Sequence, residues 1–178
     1  MVASVPLDAL DGSRVLEIGG GIGALQLELL EAGAASGEIV ELVPSYEPYA
    51  LELAREKGVA ERLSYRVADI LDEPNAVEPA DVVVLNRVVC CSPDGVELTA
   101  AAAQLARQAL VLSYPRDAAR VRLGIRVLNA GQWALRRSFR AFVHSPDGLR
   151  AAAEKHGLRV TDTGRSAFWE FTTLRRVA

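Results

Sequence analysis

A glycine turn between a short strand and a helix carries the clearest chemical information in this sequence. Gly19, Gly20, Gly21 and Gly23 directly follow the strand-like residues 14–18. Glycine lets the backbone take φ > 0 and leaves no Cβ between the loop and a ligand. The first amides of the next helix point the positive end of its dipole into the same crevice. The turn therefore predicts a binding site for a nucleoside-type cofactor.

Three acidic residues stand at the ends of three successive predicted strands. Glu17 belongs to the strand 14–18, Glu41 lies at the end of the second strand and Asp69 follows the third. In an open parallel sheet, ligands bind outside the carboxyl ends of the strands, so these carboxylates should converge around one ligand. A carboxylate at position 17 would repel a pyrophosphate. It suits instead a cofactor that lacks phosphate and carries an amino-acid moiety.

The same turn also satisfies a dinucleotide fingerprint. Residues 19–24 have the spacing Gly-x-Gly-x-x-Ala, and Glu41 lies where a ribose-binding acid would stand. A nicotinamide-dependent oxidoreductase is thus an alternative. It is the less favoured one, because Tyr46, Tyr49 and Tyr65 all lack the lysine four residues later that the short-chain type requires.

The elements that must position this turn alternate between strand-like and helix-like periods, which indicates an α/β fold with a parallel sheet. We expect strands at 14–18, 38–42, 63–67, 80–86, 109–114, 158–163 and 167–174, and helices at 23–35, 44–57, 95–107, 116–140 and 146–156. A short turn at Gly164 should make the last two strands antiparallel.

Size and composition favour a single soluble domain that comprises residues 1–178. Half of the residues are hydrophobic and the formal net charge is −3, which argues against nucleic acid as a partner. No apolar run is long enough to span a membrane. Cys90 and Cys91 are adjacent and therefore unsuited to a structural disulfide. A cytoplasmic location is therefore expected. The Cys and His spacing matches no zinc site, so no metal is expected.

Arginines are concentrated late in the sequence. A solvated helix face and contact with an acidic substrate are the two interpretations of this group. Its members are Arg116, Arg120, Arg122, Arg126, Arg136, Arg137 and Arg140.

From residue 14 to residue 178, the sequence resembles the class I S-adenosylmethionine-dependent methyltransferases. The segment 17–23 is similar to the family's acid-x-Gly-x-Gly-x-Gly motif. The resemblance implies a doubly wound, mostly parallel seven-stranded sheet of order 3-2-1-4-5-7-6, whose last strand is antiparallel, with helices on both faces. It also implies S-adenosylmethionine as cofactor and in-line methyl transfer to a small-molecule acceptor.

The resemblance also assigns roles to residues that follow the strands. Glu41 would take both ribose hydroxyls, Asp69 would meet the adenine amino group, and the loop with Asn86 and Arg87 would lie under the methionine portion. The implied cofactor-binding set is Glu17, Gly19, Gly20, Gly21, Gly23, Glu41, Leu42, Ala68, Asp69, Ile70, Asn86 and Arg87.

No catalytic residue follows from the resemblance. The tail 114–171 is similar to small-molecule O-methyltransferases, including the magnesium-protoporphyrin type, and the helical insertion 116–145 should face the substrate. The candidates are His144, as a base, and Tyr114 and Arg116, which would orient the acceptor at the carboxyl edge of the sheet.

The segment before the first strand departs from the family. Only residues 1–13 precede the strand, and Pro6 and Gly12 leave little room for a helix, so the N-terminal cap helices are expected to be largely missing. A truncated sequence, a different start codon and a homodimer that supplies the lid are three explanations. A module that binds the cofactor without turnover is therefore a further alternative.

Overall fold

The computed structural model describes residues 5–177, which form one seven-stranded sheet of order β3-β2-β1-β4-β5-β7-β6. The strands are β1 (Arg14–Ile18), β2 (Ser36–Glu41), β3 (Leu63–Val67), β4 (Ala80–Asn86), β5 (Ala106–Pro115), β6 (Leu158–Arg165) and β7 (Trp169–Arg176). Strands β1 to β5 pair in parallel, whereas β7 is antiparallel to both β5 and β6. The expected topology is confirmed.

The described residues also form six α-helices. They are α1 (Leu7–Leu10), α2 (Ala24–Glu31), α3 (Glu47–Glu56), α4 (Gly95–Leu105), α5 (Ala119–Ala134) and α6 (Pro146–Glu154). Single 3₁₀ turns occupy Pro44–Tyr46, Ala60–Arg62 and Val89–Cys91. Helix α1, in the segment that was expected to lack cap helices, is only one turn long. Residues 1–4 of that segment lie outside the described residues.

Strand β4 shows why the sheet is covered on both faces. Because successive side chains point to opposite faces, Val82 and Val84 join one apolar cluster with helices α1 to α3, and Val83 and Leu85 join the other with α4 and α6. All four are fully buried. An uninterrupted apolar run is what a strand buried on both faces requires.

Several expected boundaries differ from the structure by one to four residues, and two further differences change the path of the chain. Helix α5 ends at Ala134 instead of residue 140, where Leu135 and the positive φ of Arg136 turn the chain away. The hairpin turn does not lie at Gly164, which is paired with Phe171 inside the β6–β7 ladder. The connection is instead the segment 166–168, because β6 ends two residues later than expected and β7 begins two residues later than expected.

Helix α5 lies apart from the two sheet clusters. Val121 and Ile125 pack with Ala141 in a small cluster of their own. The Asn129 side chain accepts from the Ala141 N–H at 2.9 Å and donates to the Ala141 carbonyl at 2.8 Å. Helix α5 and the segment after it therefore form one unit beyond the carboxyl end of β5. Among the described residues, no helix combines the length and apolar character that a membrane span needs.

Candidate functional site

A cavity of about 110 Å³ opens at the carboxyl edge of the sheet, where β1, β2 and β3 end. Six residues of the expected cofactor-binding set line it: Gly19, Glu41, Leu42, Ala68, Asp69 and Ile70. The other lining residues, none of which the sequence analysis assigned to the site, are Ile18, Val40, Leu71, Val88, Cys91, Ser92 and Leu98. Val88, Cys91 and Ser92 could have been predicted from their position in the loop after β4, because that loop lies at the same edge of the sheet.

Backbone amides hold the Glu41 carboxylate at this cavity. Its Oε2 accepts from the Gly21 N–H at 3.0 Å, and its Oε1 accepts from the N–H groups of Leu42 and Val43 at 2.8 and 3.1 Å. Hydrogen bonds from three amides fix the side chain in one orientation. Because each carboxylate oxygen can accept more than one hydrogen bond, Oε2 keeps capacity for a ligand hydroxyl.

Asp69 sits at the end of β3 on the same cavity. Its Oδ1 accepts from the Leu71 N–H at 2.9 Å, which folds the chain around the carboxylate. The neighbouring walls are apolar, with Ile70 buried and Leu42 exposed to a ligand. Two carboxylates on an apolar slot suit a flat ring with an attached polyol.

The glycine turn is pinned between neighbouring strands. The Gly19 N–H donates to the Val40 carbonyl at 2.7 Å, and the Tyr65 hydroxyl donates to the Gly21 carbonyl at 3.0 Å. Burial raises the pKa of Tyr65 to about 12, so its hydroxyl keeps the proton that it donates. Tyr65 is a supporting residue that its strand position alone did not reveal.

Glu17 does not face the cavity. Its side chain is 2% exposed, and its Oε2 accepts from the Gln26 N–H at 3.0 Å in the first turn of α2. Burial raises the pKa of Glu17 to about 8, with smaller contributions from the nearby carboxylates of Glu41 and Glu28. Glu17 was expected to contact the cofactor directly. In the structure it instead stabilises the glycine turn from beneath, through its hydrogen bond to α2.

Asn86 and Arg87 are tied to the neighbouring strand β5. The Ser113 hydroxyl donates to Asn86 Oδ1 at 2.9 Å and accepts from the Arg87 N–H at 2.9 Å. Arg87 has a φ of 60°, which is rare for a residue with a side chain. Its guanidinium carbon lies 5.0 Å from the ring centroid of Trp169, a cation–π arrangement. Neither residue lines the cavity.

Comparison with known proteins identifies the family. The sequence profile described as a methyltransferase domain matches residues 16–110, more than half of the chain and the part that builds the cavity. The chain belongs to the methyltransferase domain family. The expectation of an S-adenosylmethionine-dependent methyltransferase is confirmed. No curated protein sequence matches the chain significantly.

Solved structures share the fold of this methyltransferase domain. Magnesium protoporphyrin IX methyltransferase from Synechocystis with bound S-adenosylhomocysteine has a TM-score of 0.78 and 22% identity, over 99% of this chain and 80% of that one. An O-methyltransferase family protein from Burkholderia thailandensis has a TM-score of 0.78 and 18% identity, over 98% of this chain and 54% of that one. An O-methyltransferase family 2 protein from Planctomyces limnophilus in complex with apigenin has a TM-score of 0.73 and 22% identity, over 94% and 50%.

The residues of this methyltransferase domain fit the family's cofactor. The Glu41 carboxylate, fixed by amides, suits a vicinal diol, and Asp69 suits an amino group on a ring. The glycine turn presents backbone without side chains to the same space. Within residues 5–177, no cluster of three or more His, Cys, Asp or Glu side chains is arranged to hold a metal ion.

Tyr114 is not a candidate for contact with the acceptor. Its side chain is 1% exposed, and its hydroxyl lies 2.8 Å from Thr172 Oγ1 and donates to Glu170 Oε1 at 3.3 Å. Burial raises the Tyr114 pKa. The alternation of side chains along β5 turns Tyr114 into the core, although it stands near the strand's carboxyl end. Arg116 does lie at the edge, where it contacts the β6–β7 turn.

His144 is held beside the cavity. Its Nε2 lies 3.0 Å from the carbonyl oxygen of Ser92, a residue that lines the cavity. Because a carbonyl only accepts, Nε2 carries the proton, and Nδ1 of the neutral ring is left as an acceptor. The ring is seated over Gly95, at the start of α4. His156 lies elsewhere, just after α6.

The two cysteines differ in exposure and acidity. Both Sγ atoms lie near the Arg87 carbonyl, at 3.2 Å for Cys90 and 3.5 Å for Cys91, and both thiols are free. A hydrogen bond from Cys90 lowers the pKa of Cys91 to about 7, and the same contact, with burial, raises that of Cys90. The exposed Cys91 lines the cavity, so a thiol with a lowered pKa lies at the site.

Proposed function

We propose that this chain transfers the methyl group of S-adenosylmethionine to a small-molecule acceptor by in-line displacement, mainly through positioning. The observation that carries the proposal is the shared cavity of Gly19, Glu41 and Asp69, three residues that the family resemblance assigns to the cofactor. The fold shared with an apigenin-bound O-methyltransferase and with magnesium protoporphyrin IX methyltransferase supports a small-molecule acceptor.

In this proposal, Glu41 receives the two ribose hydroxyls and Asp69 the adenine amino group. The bound cofactor supplies a methyl group that is already activated on a sulfonium. The chain's own task is to hold the acceptor in line and to exclude water. Such positioning can be worth an effective molarity of about 10⁵–10⁸ M.

The segment 116–145 forms the acceptor side of the site. It follows β5 at the carboxyl edge, and its last residues bring His144 to the carbonyl of Ser92. When the acceptor must lose a proton, the free Nδ1 of His144 is the base. The observation that supports this role is the Nε2–H donation to Ser92, which fixes the tautomer.

Calorimetric titration with S-adenosylhomocysteine tests the cofactor site. The wild-type chain should bind with micromolar affinity, and Glu41→Ala should weaken binding at least about tenfold, because a charge-assisted hydrogen bond contributes about 1.5–3 kcal/mol. Glu52→Ala is the matched control, since Glu52 is an exposed glutamate on α3. Equal affinity of the two variants would refute the site. Tight binding without transfer to any acceptor would favour a non-catalytic binding module.

A further inference from the structure

Three arginines next to the proposed acceptor side have no acidic partner. Arg87, Arg116 and Arg120 form no ion pair with any carboxylate in the part of the chain that the structure describes. Arg87 and Arg120 are exposed and Arg116 is half-buried. The whole chain has a net charge of −3, so an uncompensated positive group does not follow from a basic composition.

The three guanidinium groups contact one short segment, which consists of the β6–β7 turn, residues 166–168, and the following Trp169. Arg116 Nη1 donates to the Ser166 carbonyl and Arg120 Nη2 to the Ala167 carbonyl, both at 3.2 Å. Arg87 lies over the ring of Trp169, as described above. Three positive charges beside one short segment favour the binding of an anion there.

The neighbouring carboxylates are already committed. The buried Glu170 binds Arg150 at 2.5 Å and Arg165 at 3.2 Å, and Asp117 pairs with Arg122. Glu170, which follows the turn, and Asp117, which follows Arg116, therefore do not pair with any of the three arginines. An external anion would supply the missing counter-charge.

The same turn offers an aromatic surface. Phe168 is 38% exposed, and its ring lies 5.2 Å from that of Trp169 in an edge-to-face arrangement. Arg87 directly precedes Val88, which lines the cofactor cavity. A ligand on this turn would therefore lie at the border of the cavity. Each guanidinium has five N–H donors and uses only some of them here, so bidentate binding of a carboxylate remains available.

Resting on the proposed function, we propose that the methyl acceptor is an aromatic carboxylate, its carboxylate bound by Arg87, Arg116 and Arg120 and its ring by Phe168 and Trp169. The arginines that are concentrated late in the sequence then have different roles. Arg116 and Arg120 bind substrate, whereas Arg122 is a structural partner of Asp117.

The test compares acids with their neutral amides on the protein saturated with S-adenosylhomocysteine. The pairs are benzoate with benzamide, 4-hydroxybenzoate with its amide, and indole-3-acetate with its amide. Binding is followed by the indole N–H signal of Trp169, distinguished from that of Trp133 with Trp133→Phe. At least one acid should bind about tenfold or more tightly than its amide, the value expected for charge-assisted hydrogen bonds.

Substitutions then test which arginines cause the tighter binding of acids than of amides. Arg87→Gln, Arg116→Gln and Arg120→Gln should each reduce the acid-to-amide ratio, whereas Arg159→Gln, the same charge change at the amino end of β6, should keep it. An equal affinity of every acid and its amide, including no binding of either, overturns the proposal, and so does an unchanged ratio in the three variants. Failure to bind S-adenosylhomocysteine would instead refute the proposed function, and the acid-to-amide ratio can be measured without the cofactor.

Discussion

A Cβ atom at Gly19 would lie 2.2 Å from Cγ2 of Val88. The loop after β1 and the loop after β4 therefore approach each other only because residue 19 has no side chain. Gly19 also has a φ of +70°, which residues with a side chain rarely adopt. The same close approach closes one wall of the candidate cofactor cavity.

We therefore expect Gly19→Ala to weaken S-adenosylhomocysteine binding and to lower the free energy of unfolding by more than backbone strain alone. Gly12→Ala is the matched control: Gly12 has a φ of +67°, but its Cβ would meet no atom within 4 Å. Strain alone costs about 1–2 kcal/mol, and overpacking adds about 1–3 kcal/mol. Urea unfolding and calorimetry measure both effects. Equal losses in the two variants would contradict the close approach.

His144 depends on another glycine contact. A Cβ at Gly95 would lie 2.5 Å from Nε2 of His144, whereas one at Gly124 in α5 would meet no atom within 4 Å. Gly95→Ala should therefore displace the imidazole from Ser92 and lower kcat for an acceptor that must lose a proton. Gly124→Ala should leave kcat unchanged and stabilise the helix by up to about 1 kcal/mol. An unchanged kcat in Gly95→Ala would argue against His144 as the base.

Glu17 makes stability depend on pH. Its pKa is about 8 in the folded chain and 4.5 ordinarily, because burial disfavours its charged form. Between these values the folded state binds more protons than the unfolded state, so the free energy of unfolding falls as pH rises from about 4.5 to about 8. The contribution reaches at most about 1.4 kcal/mol per pH unit.

Denaturant unfolding at several pH values measures that slope. Glu17→Gln keeps an acceptor for the Gln26 N–H and removes the titrating group, so its unfolding free energy should depend less on pH than that of the wild type. Glu56→Gln, at an exposed position on α3, should retain the wild-type slope. A Glu17→Gln variant with the full wild-type slope would show that Glu17 is ionised in the folded chain.

Cys91 offers a direct probe of cavity occupancy. Its pKa of about 7 predicts alkylation by iodoacetamide at neutral pH, and S-adenosylhomocysteine should slow the reaction because Cys91 lines the cavity. Cys90→Ala removes the thiol that lowers this pKa, so the half-maximal rate should move to higher pH. Mass spectrometry follows the modification, with Cys91→Ser as the blank. Alkylation at the same rate with saturating S-adenosylhomocysteine would place the cofactor elsewhere.

The sequence alone determined the order of strands and helices and the glycine turn. These features are local, because hydrophobic periodicity and glycine backbone freedom act over a few residues. Local pattern also predicted the positions of Glu41 and Asp69 at the sheet edge, because Glu41 ends β2 and Asp69 closely follows β3. Strands β3 and β4 begin and end where their apolar pattern predicted.

Only the tertiary structure decided which side chains reach the cavity. Glu17 belongs to the same motif as the glycines, yet its side chain is buried against α2. Tyr114 lies near the end of a strand, yet its side chain points into the core. The contacts of His144 with Ser92 and of Arg87 with Trp169 join residues far apart in sequence. Such contacts depend on how distant segments pack, and no short-range pattern in the chain encodes that packing.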